Sequence, residues 1–321
     1  MRVLLTTTSF QDTPGEHHKI LNGSGFEVVK ARGPIDEKAM LEIVKSGGGF
    51  DGLLNGDDQI TARVIDAALP RLRVIAKYGI GLDSIDVNYA TSKRIPVLFT
   101  PGVNHTTVAE HAIGLMISVA KAFPFHFNTV KAGQWKRQTG NELYGKTLGV
   151  LGLGRIGKEL VKRCDAFGMD SIGYDVYWDE AFAGQYKVQR CATAEDVLKQ
   201  ADVVSLHMNL TDETRGLICK RTLAMMKDKA ILINTARGGL VVEPDIAEAC
   251  ASGKLKGYAT DVLEHEPVKP DHPFLKLENI VITPHIGSRT HESVQRQGVR
   301  AALNLVNFLN GNSDYVQANK F

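Results

Sequence analysis

Gly152-Leu153-Gly154-Arg155-Ile156-Gly157 constrains the fold of this chain more than any other stretch. Thr147 to Leu151, just before it, is a short apolar run of the kind buried in parallel sheets. Ile156 to Phe167, just after it, spaces Ile156, Leu160, Val161 and Ala166 between charges as a helix does. A Gly-x-Gly-x-x-Gly turn between strand and helix reads as a dinucleotide site. Gly152 permits the bend, Gly154 lets the backbone approach a pyrophosphate, and Gly157 lets the helix pack closely on the strand. The phosphates then rest on the positive end of the helix. Ser171 to Asp175 supplies the second strand, with the acidic end that such a unit uses to hold ribose hydroxyls about 20 residues on.

Gly152 to Lys158 also fits most of the phosphate-binding loop of nucleotide hydrolases, but Glu159 stands where that loop needs a hydroxyl for its magnesium ion. Asp175 repels a 2′-phosphate, and Val176, Tyr177 and Trp178 offer it no cation, so the expected cofactor is NAD.

At 321 residues the chain has room for two domains. Its 43% hydrophobic and 23% charged residues are those of a globular protein, and a net charge of +2 exerts no general pull on nucleic acid or membrane. Cys164, Cys191, Cys219 and Cys250 form no close pair, so buried reduced thiols are expected, with neither metal knuckle nor redox dithiol. The apolar run at the N-terminus is too short for a signal peptide, and no run of about 18 apolar residues occurs. A soluble, cytoplasmic protein is expected.

The first hundred residues alternate strand candidates (Val3 to Thr7, Glu27 to Lys30, Gly52 to Asn55, Arg73 to Lys77, Pro96 to Thr100) with helical patterns at Ile35 to Ser46, Ala62 to Ala68 and Val87 to Lys93. After the glycine turn the alternation resumes. Strands are expected at Val203 to His207, Ala230 to Asn234, Gly257 to Thr260 and Ile280 to Thr283, and helices at Ala194 to Gln200 and Asp245 to Ser252. Such alternation implies parallel sheets covered by helices on both faces. Long helical patterns, Thr106 to Ala120 and Glu292 to Leu309, are the expected connectors between halves, with Pro101-Gly102 and Gly287-Ser288 as crossing points. Ligands of open sheets of this kind bind at the carboxyl ends of strands, in the cleft expected between two such sheets.

Four post-strand segments are rich in polar groups. Arg237, in Asn234-Thr235-Ala236-Arg237-Gly238-Gly239, can bind a carboxylate with two parallel hydrogen bonds; alone, it is equally a surface arginine in a turn. Asp261, Glu264 and Glu266 follow one strand and His285 follows the next. A carboxylate beside an imidazole orients the ring and favours its charged form, the usual device for moving a proton, although each residue singly has a structural alternative. Lys77-Tyr78-Gly79-Ile80-Gly81 exposes successive backbone N–H groups in a concavity suited to an anion, or is simply a turn that needs glycine.

With these segments stand Lys77 to Asp86, Thr107-Val108-Ala109-Glu110-His111, Asn234 to Gly238, Asp261-Val262 with Glu266-Pro267, and Thr283-Pro284-His285-Ile286-Gly287. In this order the motifs resemble, over essentially the whole chain, the D-isomer-specific 2-hydroxyacid dehydrogenases of the branch that includes phosphoglycerate dehydrogenase and glyoxylate/hydroxypyruvate reductase. The resemblance implies an α/β fold of two doubly wound parallel-sheet domains. A Rossmann NAD-binding domain, residues 102–287, would be inserted into a flavodoxin-like substrate domain, residues 1–101 plus 288–321. It also implies that Arg237, Glu266 and His285 are catalytic, and that Lys77, Tyr78, Gly79, Ile80 and Gly81 bind substrate. Cofactor contacts would fall on Thr107, Gly152, Gly154, Arg155, Ile156, Gly157, Asp175, His207, Thr235, Ala236, Arg237, Asp261, His285 and Gly287, with no metal. The family is usually dimeric, so a homodimer through the segment around Val103 to Ala120 is implied.

The implied reaction interconverts a 2-keto acid and a D-2-hydroxy acid. The substrate would be phosphohydroxypyruvate/3-phosphoglycerate, hydroxypyruvate/glyoxylate or a similar small acidic 2-keto acid. Phosphoglycerate-specific members resemble this chain at Lys77 but commonly carry an arginine where it reads Asn55-Gly56-Asp57-Asp58, and a phosphate facing Asp57 and Asp58 would be poorly served. His207-Met208-Asn209 also lacks the proline usual after that histidine. The alternative is an NAD(H)-gated regulatory binding protein of the corepressor type, since relatives of the fold serve in that way.

Overall fold

The computed structural model describes residues 1–321, which separate into two compact units: Met1–Asn104 with Arg289–Phe321, and His105–Ser288. In the first, β1 (Arg2–Leu5) is followed by α1 (Thr8–Asp12), α2 (Glu16–Gly23), β2 (Glu27–Lys30), α3 (Glu37–Lys45), β3 (Gly52–Asn55), α4 (Ala62–Ala68), β4 (Val74–Lys77), α5 (Val87–Ser92) and β5 (Val97–Leu98). The five strands are all parallel in the order β2-β1-β3-β4-β5, the flavodoxin-like arrangement. β3 and β4 are buried at every residue, as strands covered on both faces must be.

The second unit runs through α6 (His105–Ala120), α7 (Phe123–Lys131), β6 (Thr147–Leu151), α8 (Arg155–Ala166), β7 (Asp170–Tyr174), α9 (Glu180–Gln185), β8 (Gln189–Arg190), α10 (Ala194–Gln200) and β9 (Val203–Leu206). It continues with α11 (Lys220–Met225), β10 (Ala230–Asn234), α12 (Glu243–Ala251), β11 (Leu255–Thr260) and β12 (Ile280–Ile282). Its seven strands are parallel in the order β12-β11-β10-β9-β6-β7-β8, so the order reverses at β6 and β9, as in a Rossmann sheet. α6 packs over β10, β11 and β12 and against α8. The last helix, α13 (His291–Leu309), packs on α2, β3, β4 and β5 of the first unit.

No single helix is long and apolar enough to cross a membrane; α6 and α7 reach that composition only as a pair bent by 68°. The four cysteines are free. Burial pushes the Cys164 and Cys250 thiols up to about 12 and raises that of Cys191. Cys219 departs from the expected burial: it is half-exposed, and a hydrogen bond from the Thr222 backbone lowers its pKa.

Candidate active site

The glycine turn leaves β6 with Gly152 at φ +100°, where an added Cβ would lie 2.6 Å from the His207 carbonyl carbon. At Gly157 a Cβ would come within 2.2 Å of the Gly152 oxygen, so α8 reaches the strand only without a side chain. Around Gly154 the space is open, and no side chain caps the first N–H groups of α8. These are the donors a pyrophosphate takes. Asp175, just past β7, accepts from Leu153 N at 2.6 Å with one carboxylate oxygen and from Tyr177 N at 2.8 Å with the other. It thus ties the turn to the next strand, with lone pairs left for hydroxyls.

Two buried polar atoms point the same way. Thr235 Oγ1, just after β10, and His207 Nδ1, just after β9, have no hydrogen-bond partner. Buried polar groups are normally satisfied, so orphans at adjacent strand ends fit a polar ligand such as the ribose and amide groups of NAD. The other ring nitrogen, His207 Nε2, lies 2.8 Å from Ser205 Oγ.

Burial pushes the His207 pKa down to about 4. The folded protein therefore holds this ring neutral where an unfolded chain, with a histidine pKa of about 6.5, protonates it. Stability is whole above pH of about 6.5 and falls toward pH 4, by on the order of 3 kcal/mol. Thermal unfolding at pH 8 and pH 4.5 should show this loss shrinking in His207→Gln; an equal loss in the variant would refute it.

Because β10, β11 and β12 are neighbours running in one direction, their carboxyl ends bring Arg237, Glu266 and His285 to one edge of the sheet. Asn234, fully buried at the end of β10, shapes the arginine loop: its Oδ1 accepts from Ala236 N at 3.0 Å and its Nδ2 donates to Arg237 O at 2.9 Å. Arg237 Nη1 in turn donates to Ala236 O at 2.6 Å. Gly238 then passes directly against the Leu263-Glu264 backbone, where a Cβ would lie 2.0 Å from the Leu263 carbonyl carbon.

Glu266 Oε1 accepts from Leu263 N at 3.0 Å, and its Oε2 lies 2.9 Å from His285 Nδ1. Glu264 turns elsewhere, toward Arg215 at 3.9 Å. With Glu266 ionised the shared proton sits on Nδ1 of a partly exposed ring. His285 itself sits at φ +53°, unusual for a side-chain-bearing residue, and its N–H donates to Asp261 O at 3.0 Å.

Asp261 holds this loop with its side chain as well. One oxygen accepts from Thr283 Oγ1 at 2.6 Å and Ile286 N at 2.9 Å, the other from Gly287 N at 2.7 Å, and His111 Nε2 lies 3.4 Å away. Burial alone would raise its pKa, but hydrogen bonds from His111, Thr283 and the two amides outweigh burial and hold it below the ordinary range. Sequence reasoning quoted His111 within its motif without a role and missed Asn234 as the loop's clamp. A polar residue on the buried face of α6 was the available signal.

In the first unit three of the residues quoted from the sequence have partners of their own. Lys77 is buried, and its Nζ donates to Asp57 Oδ1 at 2.7 Å and Gly56 O at 2.5 Å, so its charge is already neutralised. Asp58 faces no ligand: it is fully buried, and its carboxyl accepts from the Thr6 hydroxyl, Gly56 N and Ile35 N, while burial raises its pKa. Gly79, at φ +131°, spends its N–H on Thr100 Oγ1 at 3.0 Å.

Comparison with known proteins adds the following. A family model described as "D-isomer specific 2-hydroxyacid dehydrogenase, NAD binding domain" matches residues 113–287. The chain is 40% identical over 313 residues to a D-3-phosphoglycerate dehydrogenase of Methanocaldococcus jannaschii, covering 97% of this chain but only 58% of that protein. It is 39% identical over 292 residues to a glyoxylate reductase of Korarchaeum cryptofilum, covering 89% of this chain and 87% of the relative. Among solved structures, the TT0316 protein from Thermus thermophilus superposes with a TM-score of 0.89 at 37% identity, over 99% of this chain and 100% of that one. The chain thus spans little more than half the length of the phosphoglycerate dehydrogenases it matches.

Proposed function

The chain belongs to the D-isomer-specific 2-hydroxyacid dehydrogenase family, and from that premise we propose that it is an NAD-dependent oxidoreductase interconverting a small acidic 2-keto acid and its D-2-hydroxy acid. The observation that carries this is the 2.9 Å pairing of His285 Nδ1 with Glu266, beside Arg237 at the ends of three adjacent strands. NADH, when bound, supplies the hydride.

The protein's part is then positioning and proton transfer. His285, as imidazolium, gives its Nε2 proton to the keto oxygen and recovers one in the oxidation direction. Glu266 fixes the ring and favours its charged form. Arg237 takes the acid's carboxylate with parallel hydrogen bonds and so orients the keto carbon. The Ile80 and Gly81 amides are proposed as further donors to that carboxylate. The neutralised Lys77 does not select a phosphate, so glyoxylate, hydroxypyruvate and phosphohydroxypyruvate all stand.

The test is NADH oxidation over glyoxylate, pyruvate, hydroxypyruvate, phosphohydroxypyruvate and sulfopyruvate. Turnover with at least one acid is expected, and NADPH should serve at least tenfold less well because Asp175 repels its extra phosphate. NADH binding without oxidation by any acid would favour the corepressor-type reading instead.

The proposed partner is a second copy of the chain. α7 and the segment after it expose Phe127 at 58%, Val130 at 52% and Trp135 at 78%, apolar groups suited to being covered. Light scattering should give twice 35.1 kDa, and a monomer at micromolar concentration would refute the dimer.

A further inference from the structure

Glu266 stands in an exposed stretch of chain. None of residues 264–271 is buried and none lies in a helix or strand, so the loop has no buried side chain of its own to keep the carboxylate 2.9 Å from His285. It is tied instead, near both ends, to one side chain of the same unit: Glu243, in the first turn of α12. Glu243 Oε1 accepts from Glu264 N at 3.0 Å, and its Oε2 lies 3.1 Å from His272 Nε2.

The other partner of the His272 ring places its proton. Phe274 N donates to Nδ1 at 3.3 Å, which leaves the proton on Nε2, where it is donated to Glu243. Both side chains are 13% exposed, so water competes little for this bond. Each partner is anchored in turn. Phe274 is 1% exposed and packs edge-on with the His272 ring at 4.7 Å and with fully buried Tyr258 of β11 at 5.6 Å. Val242 N donates to Ile218 O at 2.8 Å and Pro244 follows Glu243, so the backbone carrying the carboxylate is held. The two ties bracket Glu266, and Leu263 N, next to the first of them, is the amide that Glu266 Oε1 accepts from. Freeing Glu264 releases the backbone on which that donor sits.

We propose that Glu243 and His272 are positioning residues of the proton transfer: by tying both ends of the 264–271 loop they keep Glu266 seated on His285, and so set the rate of the step without touching substrate. This rests on the dehydrogenase reading above. As a helix-dipole acid and a turn cap alone, the two would stabilise the fold and leave the chemistry unchanged.

Single-turnover hydride transfer from NADH to the best keto acid, NADH titration and residue-resolved amide exchange test it. Glu243→Ala should slow transfer by about tenfold to a hundredfold, the scale of a misplaced catalytic group, with NADH affinity within about twofold of wild type. In a Glu266→Ala background the same change should cost less than about twofold, because residues that act through one another do not add. His272→Gln can still donate to Glu243 and should keep more of the rate than His272→Asn, which can only cap Phe274; a capping role alone gives the opposite order. The Leu263 amide should exchange at least about tenfold faster in Glu243→Ala and in His272→Asn, with the β11 amides unchanged, since local opening and global unfolding are separable. Additive losses, the opposite order of the His272 variants, or an unchanged Leu263 amide overturns the proposal. Wild type that reduces no keto acid refutes the dehydrogenase reading, and Leu263 exchange, which needs no turnover, then decides whether the ties seat Glu266. If Glu243→Ala does not fold, the two His272 variants give the same readouts.

Discussion

His285→Ala lowers turnover by about a hundredfold to ten-thousandfold, the range over which a positioned acid or base acts, while NADH affinity changes far less. The expectation follows from the proposed mechanism: Nδ1 is taken by Glu266 at 2.9 Å, so Nε2 is the nitrogen proposed to exchange a proton with the substrate. Stopped-flow reduction of the best keto acid, alongside NADH fluorescence titration, measures both quantities. Near-normal turnover would remove His285 from the acid/base role.

Glu266→Gln is the sharper companion. The carboxylate accepts twice, from Leu263 N and from His285 Nδ1. An amide has one oxygen, so it must turn an N–H toward one of the two donors. The variant should therefore lose rate beyond the loss of charge, and a rate close to wild type would show that the two acceptances do not matter.

Gly238→Ala is expected to cost about 3 kcal/mol of stability, the upper end of overpacking effects, and about a hundredfold in kcat/KM from misplacing Arg237 by roughly an ångström. A Cβ there would stand 2.0 Å from the Leu263 carbonyl carbon and 2.2 Å from Glu264 N. Those are backbone atoms of the segment that presents Glu266, and they cannot swing aside. Gly239 is the contrast: its nearest atoms are the ends of the Arg215 and Leu210 side chains at 3.0 Å, which can yield. Urea unfolding and steady-state kinetics of the two alanine variants should separate them widely. Equal behaviour would show that the Arg237 and Glu266 loops are not locked together at Gly238.

Much of this architecture was legible along the chain. β10 reads Ala230-Ile231-Leu232-Ile233-Asn234 and is buried throughout, as a continuous apolar run between turns implies. The glycine turn announced β6 and α8 because Gly152 and Gly157 each answer a distinct steric demand, while Gly154 leaves the start of the helix open. Other elements carried no such pattern. α2 buries only His17 and Leu21, so nothing periodic marks it. β8 is two exposed residues, Gln189 and Arg190, paired with β7. α11 is six residues long and buries only Thr222 and Leu223. At the site, Lys77 and Asp58 looked alike in sequence as charges after strands, yet one is neutralised by Asp57 and the other is sealed in the core.

The amino-acid order by itself determined two parallel-sheet units and a dinucleotide turn, because backbone geometry and apolar spacing are local properties that neighbours in sequence express; Arg237, Glu266 and His285 were singled out by the resemblance of their motifs to a family. Tertiary structure alone decided which donors remain free and which are consumed. Hydrogen bonds such as Lys77 to Asp57, Gly79 to Thr100 and Asp261 to Thr283 and Gly287 join residues 20 or more apart, and whether a charge or an N–H can meet a ligand depends on whether such a distant partner has already met it.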